Sequence, residues 1–280
     1  MLVVKEINEL RSLISAQRQA GKLIGFVPTM GALHAGHLSL VEQAGKKSDF
    51  VVVSIFVNPT QFNDPKDLIR YPRKPEEDFK LLESSSCELV FVPEVETMYP
   101  EPDTRRFDFG RLEQIMEGRF RPGHFNGVAQ IVSRLFSLVE PDKAFFGQKD
   151  FQQLVIVKAM TKSLNLPVEI VSCPIVREES GLAMSSRNER LTPEQRKNAA
   201  LIYRTLSEAG NKAGQMNVKE LKEWVMGKLD ANPFLKSEYF EVVDEENLRS
   251  VESWNEPGNK VGCAAVYCGE VRLIDNVVFH

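Results

Sequence analysis

Apolar residues at Val3, Ile7, Leu10 and Ile14 recur at helical spacing and predict an amphipathic first helix. "KLIGFVPT" (22–29) then reads as a short buried strand. The stretch 38–47 has helical length and composition, and "FVVVSIFVN" (50–58) is an unbroken β-branched run, the mark of a strand covered on both faces. "CELVFVP" (87–93) and "VEIVSCPIV" (168–176) repeat that theme. Between them, Val128, Ile131, Val132, Leu135, Phe136 and Val139 outline another amphipathic helix, and "FQQLVIVKAMTKSLN" (151–165) outlines the next. Strands alternating with helices of crossover length predict a parallel sheet of βαβ units, whose ligands sit beyond the carboxyl ends of the strands. Pro28, Asn58 and Gly147 fall there.

From Thr192 the texture changes. "TPEQRKNAALIYRTLSEAG" (192–210) opens on a threonine cap followed by proline, as a helix does, and Val218, Leu221, Val225 and Leu229 define a second helix. "EYFEVVD" (238–244) and "CAAVYCGEVRLIDNVVF" (263–279) read as strands, the latter folded back around Gly269. The expected architecture is α/β, with a Rossmann-like parallel-sheet domain over 1–184 and a smaller α+β domain over 185–280.

Composition narrows the classes. At 280 residues, 42% hydrophobic and 26% charged, the chain reads as soluble and globular, and long enough to bury a core without disulfides or metals. A net charge of −4 argues against a nucleic-acid platform. The four cysteines form no CxxC and no zinc-type spacing, so they read as reduced thiols. "MLVVKEINEL" lacks a basic segment and a long apolar run, and no stretch reaches the ~18 apolar residues of a membrane span. A cytoplasmic protein is expected.

The chemistry concentrates at strand ends. "PTMGALHAGH" (28–37) places two of four histidines three apart at the start of a helix, where backbone N–H groups and the macrodipole stabilise an anion. His34 and His37 share a face and can both reach one phosphate. A structural turn with solvated histidines or a metal pair are the other readings. No third zinc ligand stands out, since His124 and His280 lie in unrelated settings. Neither a GxxxxGK[ST] nor a GxGxxG motif is present. In "FVNPTQF" (56–62), Asn58 and Gln61 face the same crevice; Gln61 can hold a hydroxyl or carboxylate, or either amide can simply stabilise the loop. "AFFGQKDFQQL" (144–154) is a third strand-to-helix passage. There Gly147 permits close backbone approach, Lys149 offers a point charge, Asp150 can accept from ribose hydroxyls, and Gln153 follows one turn later. In "RPGHF" (121–125), Arg121 could meet an anion and His124 reads as structural. "GLAMSSRNERL" (181–191) places Ser185, Ser186 and Arg187 after a glycine as a mobile anion-binding loop.

HAGH and MSSR together resemble the paired signatures of the class I aminoacyl-tRNA synthetase and nucleotidyltransferase superfamily. The match tightens with "PTMGALHAGH", "FVNPTQF", "YPR", "RPGHF", "FFGQKDFQQL" and "GLAMSSRN", which follow the order and spacing of the pantothenate synthetase family. The resemblance is dense from residue 26 to about 190 and looser beyond. It implies an ATP-dependent ligase joining (R)-pantoate to β-alanine through a pantoyl adenylate, releasing AMP and pyrophosphate, with Mg²⁺ on the phosphates. Met30, Gly31, Ala32, Leu33, His34, Ala35, Gly36 and His37 are implied to bind ATP. Gly147, Gln148, Lys149, Asp150, Val176 and the Met184, Ser185, Ser186, Arg187 loop are implied to join them. Gln61, Gln153 and Asn58 are implied to hold the substrates, and His37, His34 and Lys149 to act in the chemistry, His37 as proton donor. A homodimer and a C-terminal lid domain are also implied. The sequence departs from the family pattern at Ser180 and Lys66, neither a proposed ligand. A nucleotidyltransferase that stops at AMP or CMP transfer, and a non-catalytic nucleotide-binding or RNA-associated module, are the competing classes.

Overall fold

The fold is read from a computed structural model that describes residues 1–63 and 65–279. His280, considered and set aside above as a ligand, lies outside the described residues. The chain divides into two compact units. The first is Met1–Gln148 with Ile156–Pro174; the second is Lys149–Val155 with Ile175–His280.

The first unit is built on six strands: β1 (Leu2–Val4), β2 (Ile24–Thr29), β3 (Phe50–Ile55), β4 (Leu89–Phe91), β5 (Lys143–Gly147) and β6 (Glu169–Cys173). Every pairing is parallel and the order is β1-β4-β3-β2-β5-β6. Strand periodicity sends Val27, Val53, Val90 and Phe145 to one face, where Val41 and Ala44 of the helix Ala35–Lys47 and Leu82 of the helix Pro75–Glu83 meet them. Phe26 and Phe146 point the other way and pack edge-on against Phe136 of the helix His124–Val139, at 6.3 and 6.5 Å between ring centroids. From β2 the chain moves outward to β3, and from β5 it moves outward the opposite way to β6. The order of progression therefore reverses between β2 and β5. That makes their carboxyl ends the crevice where open α/β sheets take ligands.

The second unit carries an antiparallel sheet of β7 (Leu235–Asp244), β8 (Lys260–Cys268) and β9 (Val271–Phe279), with β8 in the middle. Helices Leu201–Lys212 and Val218–Asp230 bury Ile202, Leu206, Leu221 and Val225 with Phe240 and Val266 of the sheet. Gly269, at a φ of +60°, turns β8 into β9 as expected. Asn217 and Glu220 form a capping box at the second helix, accepting from each other's backbone N–H.

Three expectations change. Val3 is in β1, not in the first helix, which is Ile7–Gln19; the "LVV" triplet pairs with β4, and long-range pairing outweighs local periodicity. The segment 192–210 forms two helices, Pro193–Ala199 and Leu201–Lys212, rather than one, with Thr192 and Gln195 capping the first. The division of the chain is also not a single cut after residue 184. Arg177 bridges Ala183 and pairs with Asp275 of β9, which draws 175–184 into the second unit. Asn276 holds the Lys149 carbonyl, so a seven-residue piece of the middle of the chain goes with the C-terminal unit as well.

Candidate active site

In the first unit the turn after β2 needs two consecutive left-handed residues, Gly31 (φ +77°) and Ala32 (φ +50°). Thr29 Oγ1 ties it at one side, donating to the Ser54 carbonyl (2.7 Å) and accepting from Gly31 N–H (3.2 Å). Asp78 ties the other: its carboxylate accepts from Ala32 N–H (2.9 Å) and Leu33 N–H (2.6 Å). Asp78 is 2% exposed, and burial raises its pKa against the pull of those two amides. It was missed in the sequence reading, although it stands four residues before the buried Leu82 on the apolar face of its helix.

His34 is the N-cap of the helix Ala35–Lys47 and His37 its third residue. Gly36 N–H donates to His34 Nδ1 (3.2 Å), and His34 N–H donates to His37 Nδ1 (3.3 Å). The two rings lie 4.1 Å apart between centroids. Both Nδ1 atoms are thus acceptors, and in each neutral ring the proton belongs on Nε2. Two of the amides at this helix start thus already have partners within the protein. His34 caps Gly36 N–H, His37 accepts from His34 N–H, and Asp78 takes two more amides in the preceding turn.

Asn58 (1% exposed) caps the single 3₁₀ turn Pro59–Gln61 after β3. Its Nδ2 donates to the Gly127 carbonyl (3.0 Å) and to Gln61 Oε1 (3.3 Å), while its Oδ1 accepts from Tyr99 Oη (2.8 Å) and Thr60 Oγ1 (3.2 Å). The amide is saturated within the protein, so its geometry is that of a residue that orients Gln61. Gln61 Nε2 in turn lies 2.8 Å from Met30 Sδ, which brings the second and first motifs together. His124 completes this arrangement. Arg121 Nη1 donates to its Nε2 (3.1 Å), so its Nδ1–H donates to the Gln61 carbonyl (2.8 Å). Gly147 and Gln148 lie at the end of β5, and a Cβ at Gly147 would meet no atom within 4 Å.

The second unit holds the other predicted residues. Lys149 Nζ lies 3.3 Å from Asp150 Oδ2, and the helix Phe151–Ser163 carrying Gln153 follows. Met184 N–H donates to the Val176 carbonyl (3.0 Å). The MSSR segment is a capped 3₁₀ turn rather than a loose loop: Ser185 Oγ accepts from Arg187 N–H (3.2 Å), and Asn188 Nδ2 donates to Glu178 Oε1 (2.8 Å) and the Ala183 carbonyl (3.0 Å).

The family model for pantoate–β-alanine ligase matches residues 2–278. Pantothenate synthetases of Porphyromonas gingivalis and Phocaeicola vulgatus are 51% and 53% identical over 280 residues, covering all of this chain and 100% and 99% of theirs. The chain belongs to the pantoate–β-alanine ligase family. Solved members of that family share its fold. The pantothenate synthetase of Thermus thermophilus superposes with a TM-score of 0.90 at 44% identity, over 99% of each chain. The ligase of Francisella tularensis, solved with a β,γ-ATP compound and β-alanine, gives 0.83 at 34% identity over 99% of this chain and 97% of its own.

Proposed function

We propose that this chain joins (R)-pantoate to β-alanine with ATP, through a pantoyl adenylate, as an AMP-forming ligase of pantothenate biosynthesis. The observation that carries the mechanistic reading is the imidazole pair. Nδ1 of each ring accepts a backbone N–H; in this reading the Nε2 sides of His34 and His37 act as donors to the triphosphate. In the first step the pantoate carboxylate attacks the α-phosphorus and pyrophosphate leaves. Charge grows on the phosphoryl oxygens, and fixed donors stabilise it without reorganisation. His34, His37, Lys149, Ser185, Ser186 and Arg187 supply those donors, with His37 protonating the departing group. Met30–His37, Gly147, Gln148, Asp150, Val176 and Met184 bind the rest of the nucleotide. In this reading the nucleotide lies close to the backbone at Gly147, where a Cβ would meet no protein atom within 4 Å. Gln61 and Gln153 hold pantoate, and Asn58 orients Gln61. In the second step the neutral amine of β-alanine attacks the acyl carbon, the mixed anhydride opens, and AMP leaves.

Among the described residues no group of three or more His, Cys, Asp or Glu could hold a metal, and Asp78 is engaged by two amides. Mg²⁺ enters on the phosphates of the nucleotide substrate. Among the described residues no helix is long and apolar enough to cross a membrane. The reading includes a cytoplasmic homodimer, with sedimentation velocity as its check.

Product analysis with MgATP and (R)-pantoate, without and then with β-alanine, tests the reaction. Pyrophosphate with little free AMP at first, then stoichiometric AMP and an amide after β-alanine is added, is expected. AMP left on a phosphate acceptor, or no turnover, would overturn it.

A further inference from the structure

We propose that Asn276 of β9 is a positioning residue for Lys149, an inference that rests on the role given to Lys149 above. Residues 271, 273, 275 alternate along β9 with Val271, Leu273 and Asp275 on the buried side. Val271 and Leu273 are ordinary core, but Asp275 is a carboxylate only 4% exposed in the same phase. An aliphatic side chain there would carry no desolvation penalty, so the buried carboxylate has to be offset by its partner. It holds Arg177 in a two-pronged pair, with Nη1–Oδ2 at 2.6 Å and Nη2–Oδ1 at 2.9 Å. Arg177 is fixed further by the Gly181 carbonyl (3.1 Å) and by the Tyr203 ring, whose centroid is 4.0 Å from its guanidinium carbon. Lys149 is the second cation whose charge acts on this carboxylate.

Asn276 makes the link to Lys149 direct. It is 7% exposed, and its Nδ2 donates to the Lys149 carbonyl at 3.1 Å. Lys149 is in the 3₁₀ turn Gln148–Asp150, between the end of β5 and the start of the helix Phe151–Ser163. A hydrogen bond from the neighbouring strand sets where the lysine stem leaves the main chain. The Lys149 ammonium rests on Asp150, a partner 44% exposed. An exposed pair of that kind gives way readily to a polyphosphate, and the held Cα limits where the ammonium can go. Arg177 extends the arrangement: its backbone bridges Ala183, next to Met184. Asp275 thus anchors Arg177 at the approach to the MSSR turn, and its neighbour Asn276 anchors the lysine turn.

Misplacement of a reacting group by about 1 Å can cost on the order of 100-fold in rate. Asn276→Ala in the full chain is therefore expected to slow pyrophosphate release from ATP and pantoate by roughly 10- to 100-fold, with KM for β-alanine unchanged and the melting profile close to wild type. Asn276→Asp, of equal size but without the donor, carries the same test if the alanine variant does not fold. It is expected to be at least as slow, whereas a packing role predicts rescue. The deciding measurement is the double-mutant cycle with Lys149→Ala. Non-additivity, with Asn276→Ala adding nothing once Lys149 is gone, supports the proposal. If Lys149→Ala is slow and the two effects multiply, Asn276 does not act through Lys149 and the proposal fails. If Lys149→Ala alone leaves pyrophosphate release unchanged, the role given to Lys149 fails first, and the positioning proposal falls with it.

Discussion

Single residues decide more here than their sequence neighbours suggest. Asp78 is the plainest case. Removing its carboxylate strands the amides of Ala32 and Leu33 in a buried turn, and each unsatisfied donor costs about 1–3 kcal/mol. Asp78→Ala should lower stability by several kcal/mol and weaken ATP binding, which denaturation and nucleotide titration will show. His37→Ala tests the chemistry instead: loss of one donor to a developing oxyanion typically costs on the order of 10²–10³ in rate. Pyrophosphate release near the wild-type rate would remove His37 from the chemical step. Cys87 supplies a pH prediction. It is buried, and desolvation pushes its thiol up to about 12 from the usual 9.0. Across that interval the unfolded chain loses this proton while the native chain keeps it, so native stability falls as pH rises, by about 1.4 kcal/mol per pH unit for one thiol. In Cys87→Ala the alkaline slope for unfolding of the first unit should be shallower by that amount. The residues missed in the sequence were marked there nonetheless. Asp78 and Asp275 both stand in the buried phase of an otherwise apolar pattern, and a charge in that phase is costly unless it holds something.

At the scale of elements, the helix His124–Val139 and the turn Pro59–Gln61 show how a site residue is set by packing. Gly127 lets the helix approach closely: a Cβ there would lie 2.4 Å from the Thr60 carbonyl oxygen and 2.7 Å from Gln61 Cα. Gly127→Ala should raise helix propensity by about 1 kcal/mol yet destabilise the protein by roughly 1–3 kcal/mol net. It should also raise KM for pantoate by displacing Gln61, and a thermal melt with steady-state kinetics separates the two effects. Strands and long helices were legible because their periodicity is the same as their burial. β3 is buried at all six positions, as its unbroken β-branched run implies. β1 was not legible. Three residues give no period, and only pairing with β4, far along the chain, makes them a strand. The cap at His34 was likewise hidden. Histidine spacing indicated a shared face, but not that each ring accepts a backbone N–H, which depends on the turn geometry that Gly31 and Ala32 create.

For the molecule as a whole, the motif order of the sequence was enough to place the chain in its family, while the division into units was not. That division follows from contacts such as Asn276 to Lys149, separated by 127 positions, which no local pattern encodes. None of the four cysteines is in a disulfide and all are buried, two in each unit. Native protein at pH 8 should therefore resist iodoacetamide, with four thiols alkylated only after unfolding; fast modification of a thiol in the folded protein would contradict this burial. The piece Lys149–Val155 belongs with the second unit but is flanked on both sides by chain of the first. This has a consequence for inheritance. A single genetic crossover between two homologous genes at residue 174 would join Lys149 from one parent to Arg177, Asp275 and Asn276 from the other. Partners that drifted separately would then meet in one protein, so such hybrids should lose activity more often than hybrids with the crossover upstream of Lys149. Residues 149–276 are expected to descend as one block.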